Sequence, residues 1–160
     1  MTIFATPHKL YKTFALAEAV TWTLLLSGLA IRATVGAPPQ LLLVVGGLHG
    51  FVFLAYGATS ILVGINQRWS IARTLAAVAF AIVPYATIPF ERSVEKRNLL
   101  KGAWRTTATE DKRDAHWFDR LFRWFLSRPA LLAVALFAAI VGIFAVLLIV
   151  GPPGGWQSEK

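Results

Sequence analysis

Two ionisable residues, Glu18 and His49, lie inside long apolar runs of this 160-residue chain. A polar group placed in hydrocarbon costs several kcal/mol unless it finds a partner, so each must face protein or a cavity. The chemistry open to such residues is proton transfer, an ion pair, or haem ligation by the imidazole. Haem held by two histidines needs a second intramembrane histidine, and His8 and His116 lie outside the apolar runs. Counted from the loop they share, Glu18 and His49 differ in depth by about 7 to 8 Å. Side chains lean toward the N-terminus of their own helix, which drives the two further apart. The expected partner of Glu18 is therefore Arg73, which enters the third apolar run at a matching depth, with Tyr56 or Thr59 nearby. His49 is expected to be a neutral histidine hydrogen-bonded between helices.

Four runs have the roughly 17 to 25 residues that a bilayer crossing requires. They are Tyr11 to Ile31, Leu41 to Ile65, Ile71 to Phe90 and Pro129 to Val150. Backbone groups have no water to bond in lipid, so each run must be helical. The fold class expected is all-α: an integral membrane protein of four transmembrane helices. Composition agrees, with 56% hydrophobic residues, 15% charged residues and a mean hydropathy of +0.60, far too little polar surface for a soluble domain. Glu18 within the first run favours an uncleaved helix over a signal peptide. Pro84 predicts a kink in the third helix. Trp156, in the terminal "GPPGGWQSEK", is placed like an interface anchor.

On the second helix, Gly50, Gly57 and Gly64 recur every seven residues and Gly46 precedes Gly50 by one turn. Such a smooth stripe lets helix backbones approach closely in lipid. It serves packing against helices one and three, or docking of another protein.

The 92–128 segment holds ten of the sixteen lysines and arginines. Basic loops are retained in the cytoplasm, so this loop is expected inside, with both termini and the 66–70 turn outside. Within it, "HWFDRLFRWFLSR" puts Trp117, Phe118, Leu121, Phe122 and Phe125 on one helical face, with Arg120 and Arg123 elsewhere. That is an amphipathic helix lying in the headgroups before the fourth span, its basic side toward anionic lipid. The aromatics beside a membrane span favour lipid over nucleic acid. The chain divides into a three-helix membrane domain (1–97), a basic loop with interfacial helix (98–128), and the fourth span with its tail (129–160).

There is no cysteine, no phosphate loop, no metal-ligand cluster and no nucleophile elbow. No enzyme activity, metal or cofactor is expected. A single buried acid without repeats is also thin for a transporter.

"FALAEAVTWTLLLSGLAIR", "GGLHGFVFLAYG" and "VPYATIPFER" resemble the three helices of a family of small actinobacterial membrane proteins classed as a domain of unknown function. The resemblance covers about residues 8–97, with Glu18, Gly46, His49, Gly50, Tyr56 and Pro84 as matching positions. The basic loop and fourth helix depart from the family pattern, which ends after helix three. The resemblance implies a fold and no reaction. In an actinobacterial setting the leading expectation is a non-catalytic accessory subunit of a larger membrane complex in the plasma membrane, the cytochrome bcc–aa3 respiratory supercomplex in particular. The alternatives are a small proton-coupled carrier using Glu18 and His49, and a lipid- or quinone-binding module with an apolar groove near His49 and Tyr56.

Overall fold

A computed structural model describes residues 3–36 and 38–151; Trp156 and the rest of the terminal tail lie outside the described residues. Helices are the regular structure among those residues, with no strand among them. The helices are α1 (Pro7–Val35), α2 (Pro39–Asn66), α3 (Ile71–Ala79), α4 (Thr87–Lys96), α5 (Trp117–Leu126) and α6 (Pro129–Val150).

Sequence chemistry marks the ends. The Thr6 hydroxyl accepts from Lys9 N–H at 3.1 Å, and Pro7 opens α1 where its missing N–H is not needed. Gly36 closes α1 in the left-handed conformation, φ +78°, donating to Arg32 O. Ser70 caps α3 by accepting from Arg73 N–H. The α1–α2 pair forms the frame, with Gly28 close enough to α2 that a Cβ there would meet Val45 at 3.0 Å.

Three helices are long and apolar enough to cross a membrane: α1, α2 and α6. The expected third span, 71–90, does not form as one helix. It is a hairpin. Pro84 cannot donate to the helix ladder, and the residue before it is forced out of helical geometry; Val83 is extended, at φ −100° and ψ 123°. Tyr85 then takes φ +63°, and the combination reverses the chain where a proline alone would kink it.

The contacts follow the reversal. Going in, α3 runs along α2, with Thr74 against Gly64 and Val78 against Gly57. At the apex the Trp22 indole donates to Ala81 O at 3.1 Å, and Thr23 Oγ1 pairs with the Tyr85 hydroxyl at 3.3 Å. Coming back, α4 runs down α1: Thr87 donates to Ala15 O at 3.1 Å, and Glu91 and Glu95 reach His8. Phe80 of the 3₁₀ turn after α3 and Phe90 of α4 pack with ring centroids 5.2 Å apart. From Ile71 to the end of the turn at Ile82 the inward arm rises about 18 Å, short of a hydrocarbon core of about 30 Å. Irregular backbone at that depth is tolerated where protein satisfies it, as Trp22 does for Ala81 O.

The hairpin overturns the expected topology. Segment 92–128 emerges on the same side as the start of α1 and the 66–70 turn, not opposite them. Trp104 donates to Phe4 O at 2.8 Å, and Arg105 to Ile65 O at 2.8 Å. Lys9, Lys12, Arg68 and Arg73 therefore share an end with the basic segment. Among the described residues, Arg32 is the one lysine or arginine at the other end.

The amphipathic helix α5 divides its apolar residues. Phe122 and Leu126 turn inward and pack with Leu10 of α1 and Leu62 of α2. Trp117, Phe118, Leu121 and Trp124 stay exposed. The chain then enters α6, which lies against α2 through Phe137 and Phe144 around Phe51 and leaves most of its surface uncovered.

Candidate functional site

The inner face of α1 carries Tyr11, Ala15, Glu18 and Ala19, all buried, with spacings of three, four and seven that keep one helical stripe. The facing stripe of α2 carries His49, Phe53, Tyr56 and Ser60. These stripes bring Glu18 and His49 together: His49 Nδ1 lies 3.8 Å from Glu18 Oε2. Glu18 is fully buried and His49 is 9% exposed. The expected Glu18–Arg73 pair does not form. Arg73 follows α3 along α2, whereas α4 is the arm that covers α1, so the cation never reaches Glu18. The depth count failed because the α1–α2 register drifts. Gly28 meets Val45, Thr21 meets His49, and Tyr11 meets Tyr56; a constant rise counted from the shared loop overstates the gap.

Thr21, which sequence reading missed, sets the proton arrangement. Its hydroxyl donates to Glu18 O at 3.1 Å, the local i−3 bond of a helical threonine, and lies 3.2 Å from His49 Nδ1. With its proton committed, the Thr21 oxygen is left to accept, which assigns Nδ1–H to a neutral His49. The Trp22 ring covers the imidazole, centroids 4.4 Å apart. Neither Glu18 carboxylate oxygen has a hydrogen-bond partner among the described residues. A separation of 3.8 Å is too long for a hydrogen bond and short enough for one bridging water or a small side-chain movement.

Nearer the basic end, the hydroxyls of Tyr11 and Tyr56 bond at 2.8 Å, both fully buried, and Ser60 Oγ donates to Tyr56 O at 2.9 Å. Thr59 is buried without touching Glu18. It lines an apolar cavity of about 270 Å³ between α1, α2 and α6, with Phe14, Phe51, Leu136 and Phe137. Neither His49 nor Tyr56 lines that cavity.

The glycines of α2 are distributed among three neighbours. A Cβ on Gly46 would face Leu25 of α1, on Gly50 it would meet Phe144 of α6 at 3.2 Å, and on Gly57 and Gly64 it would meet Val78 and Thr74 of α3. These positions are occupied from within the chain.

The basic segment is folded onto the membrane domain around Asp114, itself 3% exposed. Arg68, Arg105 and Arg123 converge on its Oδ1, while Thr109 donates to Oδ2 through its N–H at 2.8 Å and its hydroxyl at 2.7 Å. The Thr109 hydrogen bonds, then the arginine charges, hold this carboxyl below the usual carboxylate range. Hydrogen bonds from Arg113 push Asp111 well below that range too. Arg105 also donates to Asn66 O and Ile65 O, both at 2.8 Å, satisfying carbonyls that the end of α2 leaves open and placing a cation at its negative pole. Arg123, expected among headgroups, instead points inward to Asp114 O at 2.7 Å. Arg120 remains exposed and Phe125 is half-buried against Trp124. An arginine count cannot separate these roles, because burial depends on where the loop docks.

The family described as a domain of unknown function, DUF3817, matches residues 8–96. The chain belongs to this family. The match ends at Lys96, the last residue of α4, so the DUF3817 unit is α1, α2 and the hairpin; the basic segment, α5 and α6 lie beyond it. A Streptomyces coelicolor protein described as a membrane protein is 35% identical over 78 residues, which make up 48% of this chain and 9% of that protein. The chain thus spans a small fraction of that relative's length. Its organism agrees with an actinobacterial family. No solved structure matches. With three apolar helices of spanning length, this DUF3817 chain is a multi-pass membrane protein.

Proposed function

We propose that this chain is a non-catalytic accessory module of a larger membrane assembly. The observation that carries the reading is that 78 residues of this chain, at 35% identity, match only 9% of a far longer Streptomyces coelicolor membrane protein, where a segment similar to this chain is covalently part of a larger protein. The uncovered face of α6, including Val134, Val141 and Ile149, supplies the apolar surface for such packing or for lipid. Gly50, Gly57 and Gly64 face neighbours within the chain, while Gly46 and Gly47 line an open groove with Leu43 and Phe144. The basic end faces the cytoplasm of the plasma membrane, since nearly all lysines and arginines gather there; this places the N-terminus inside as well. Exposed Trp117, Phe118 and Arg120 meet headgroups, with anionic lipid favoured.

The test is a mild-detergent pull-down of the tagged chain from its native membrane. Stoichiometric recovery of a large membrane protein supports the module, and cytochrome subunits with a haem spectrum identify the bcc–aa3 respiratory supercomplex as that assembly. A chain recovered alone, in native membranes and after mild crosslinking, overturns the reading.

A second reading, a proton-coupled carrier, is favoured by one observation: the unpartnered Glu18 carboxylate 3.8 Å from His49 in the middle of the helix pair. It predicts pH-driven flux in proteoliposomes that Glu18→Gln abolishes. Absence of flux in the unaltered chain removes it.

A further inference from the structure

We propose that His8, Glu91 and Glu95 form a binding site for one divalent first-row cation, Zn²⁺ or Mn²⁺, at the basic end of the hairpin. This site is separate from the Glu18–His49 pair and independent of the accessory-module reading. The three side chains come from two elements that the hairpin alone brings together. His8 is the second residue of α1. Glu91 and Glu95 are one turn apart on α4, on the face that returns along α1. His8 Nε2 lies 3.1 Å from Glu95 Oε1 and 3.6 Å from Glu91 Oε1. One donor atom from each of the three lies within 4.8 Å of the others. Donor atoms bound to a common ion at about 2.0–2.2 Å stand about 3.0–3.6 Å apart, so an ion needs only a small closure of this set.

A second observation points to a ligand. Glu91 is 4% exposed, and its Oε1, aimed at His8, has no hydrogen-bond partner among the described residues. His8 Nε2 is likewise buried and unsatisfied. Two carboxylates face one imidazole nitrogen, which has a single proton to give and a single lone pair when it has none. A buried carboxylate left in that state is costly. A divalent cation would bind both carboxylates and the imidazole lone pair, balancing the charge. Lys101 shares the cleft beside the site with Thr6, Glu95 and Asn98, yet no lysine or arginine among the described residues pairs with either carboxylate. The cleft provides the entry path, and Glu95, 41% exposed, stands at its mouth.

The donor set selects the class of ion. One imidazole and two carboxylates suit Zn²⁺, Mn²⁺ and Fe²⁺; without thiolate or thioether the set does not suit Cu⁺. Three protein ligands leave room for water or a further group.

The experiment uses the full chain in an uncharged mild detergent, stripped with chelator and dialysed, then titrated with Zn²⁺ or Mn²⁺ alone. Calorimetry and loss of the free Mn²⁺ electron-paramagnetic signal read the binding. One ion per chain is expected. Glu95→Gln and His8→Ala each weaken it tenfold or more, while Glu18→Gln leaves it unchanged. Glu95→Gln changes a half-exposed side chain, so its fold survives and circular dichroism checks this. Absence of saturable binding at millimolar ion overturns the proposal, as does binding that persists undiminished in both His8→Ala and Glu95→Gln.

Discussion

Gly64→Ala tests the hairpin where its inward arm lies closest to α2. A Cβ at position 64 would stand 2.6 Å from Thr74 Oγ1 and 3.1 Å from Thr74 Cγ2. The first distance is inside any real contact and the second is tight. Thr74 is β-branched, so its χ1 cannot turn freely within α3, and its hydroxyl holds only a long 3.4 Å bond to Ser70 O. Relief therefore requires α3 to shift away from α2. Overpacking of this kind costs about 1–3 kcal/mol, while replacing a mid-helix glycine by alanine returns about 0.5–1 kcal/mol. The net expectation is a loss centred near ~1 kcal/mol and reaching about 2.5 kcal/mol. Gly142→Ala is the control, since nothing lies within 4 Å of a Cβ there; it should be neutral or mildly stabilising. Truncating Thr74 to alanine should recover most of the loss, giving a coupling of about 1 kcal/mol or more. Reversible unfolding in mixed detergent–denaturant micelles measures all four variants. A Gly64→Ala chain as stable as the unaltered one, or a loss that Thr74→Ala does not recover, refutes the close approach.

The chain has no cysteine, so single cysteines report topology directly. Cysteines replacing Gln67 and Lys101 should react with an impermeant maleimide from one side of the membrane and one replacing Gln40 from the other; opposite labelling of 67 and 101 would restore a third crossing. Trp22→Phe removes the donor to Ala81 O at the apex and should cost about 1–3 kcal/mol in the same unfolding assay, whereas a neutral result would mean that the carbonyl is not sequestered. Asp114→Asn should release the 105–116 segment, seen as faster limited proteolysis there with α1 and α2 intact. Because the folded carboxyl of Asp114 sits below its ordinary value, its contribution is present above the unfolded pKa of about 3.9 and is lost as pH falls through the lower folded value. Protection of the segment should accordingly hold from neutral pH to about 4 and fail below it; protection lost already near neutral pH would contradict the arginine cluster.

The membrane class, the family and the outlines of α1, α2, α5 and α6 were legible in the sequence because they rest on local quantities: apolar run length, short motifs and helical period. The amphipathic helix α5 was legible for the same reason, although its inward residues, Phe122 and Leu126, were not, since period shows a face and not what covers it. Pro84 marked the break in the third run. That it reverses the chain depends on Tyr85 accepting a left-handed conformation, a state no residue type at that position announces. Tyr11 and Thr21 could have been noted from their places three to seven residues from Glu18 on one face, the signal that a helical stripe provides.

The sequence by itself determined that this chain enters a bilayer, which residues are too polar to meet lipid, and roughly where the long apolar helices lie. Those outcomes follow from transfer free energies and backbone hydrogen bonding, which act residue by residue. Only the tertiary structure decided which polar groups meet. Glu18 found His49 because the α1–α2 register drifts, and His8 found Glu91 and Glu95 because α4 folds back along α1. It also decided that the basic segment shares a side with the N-terminus, since one reversed turn at residues 83–85 converts a crossing into a return and moves every later charge to the other face.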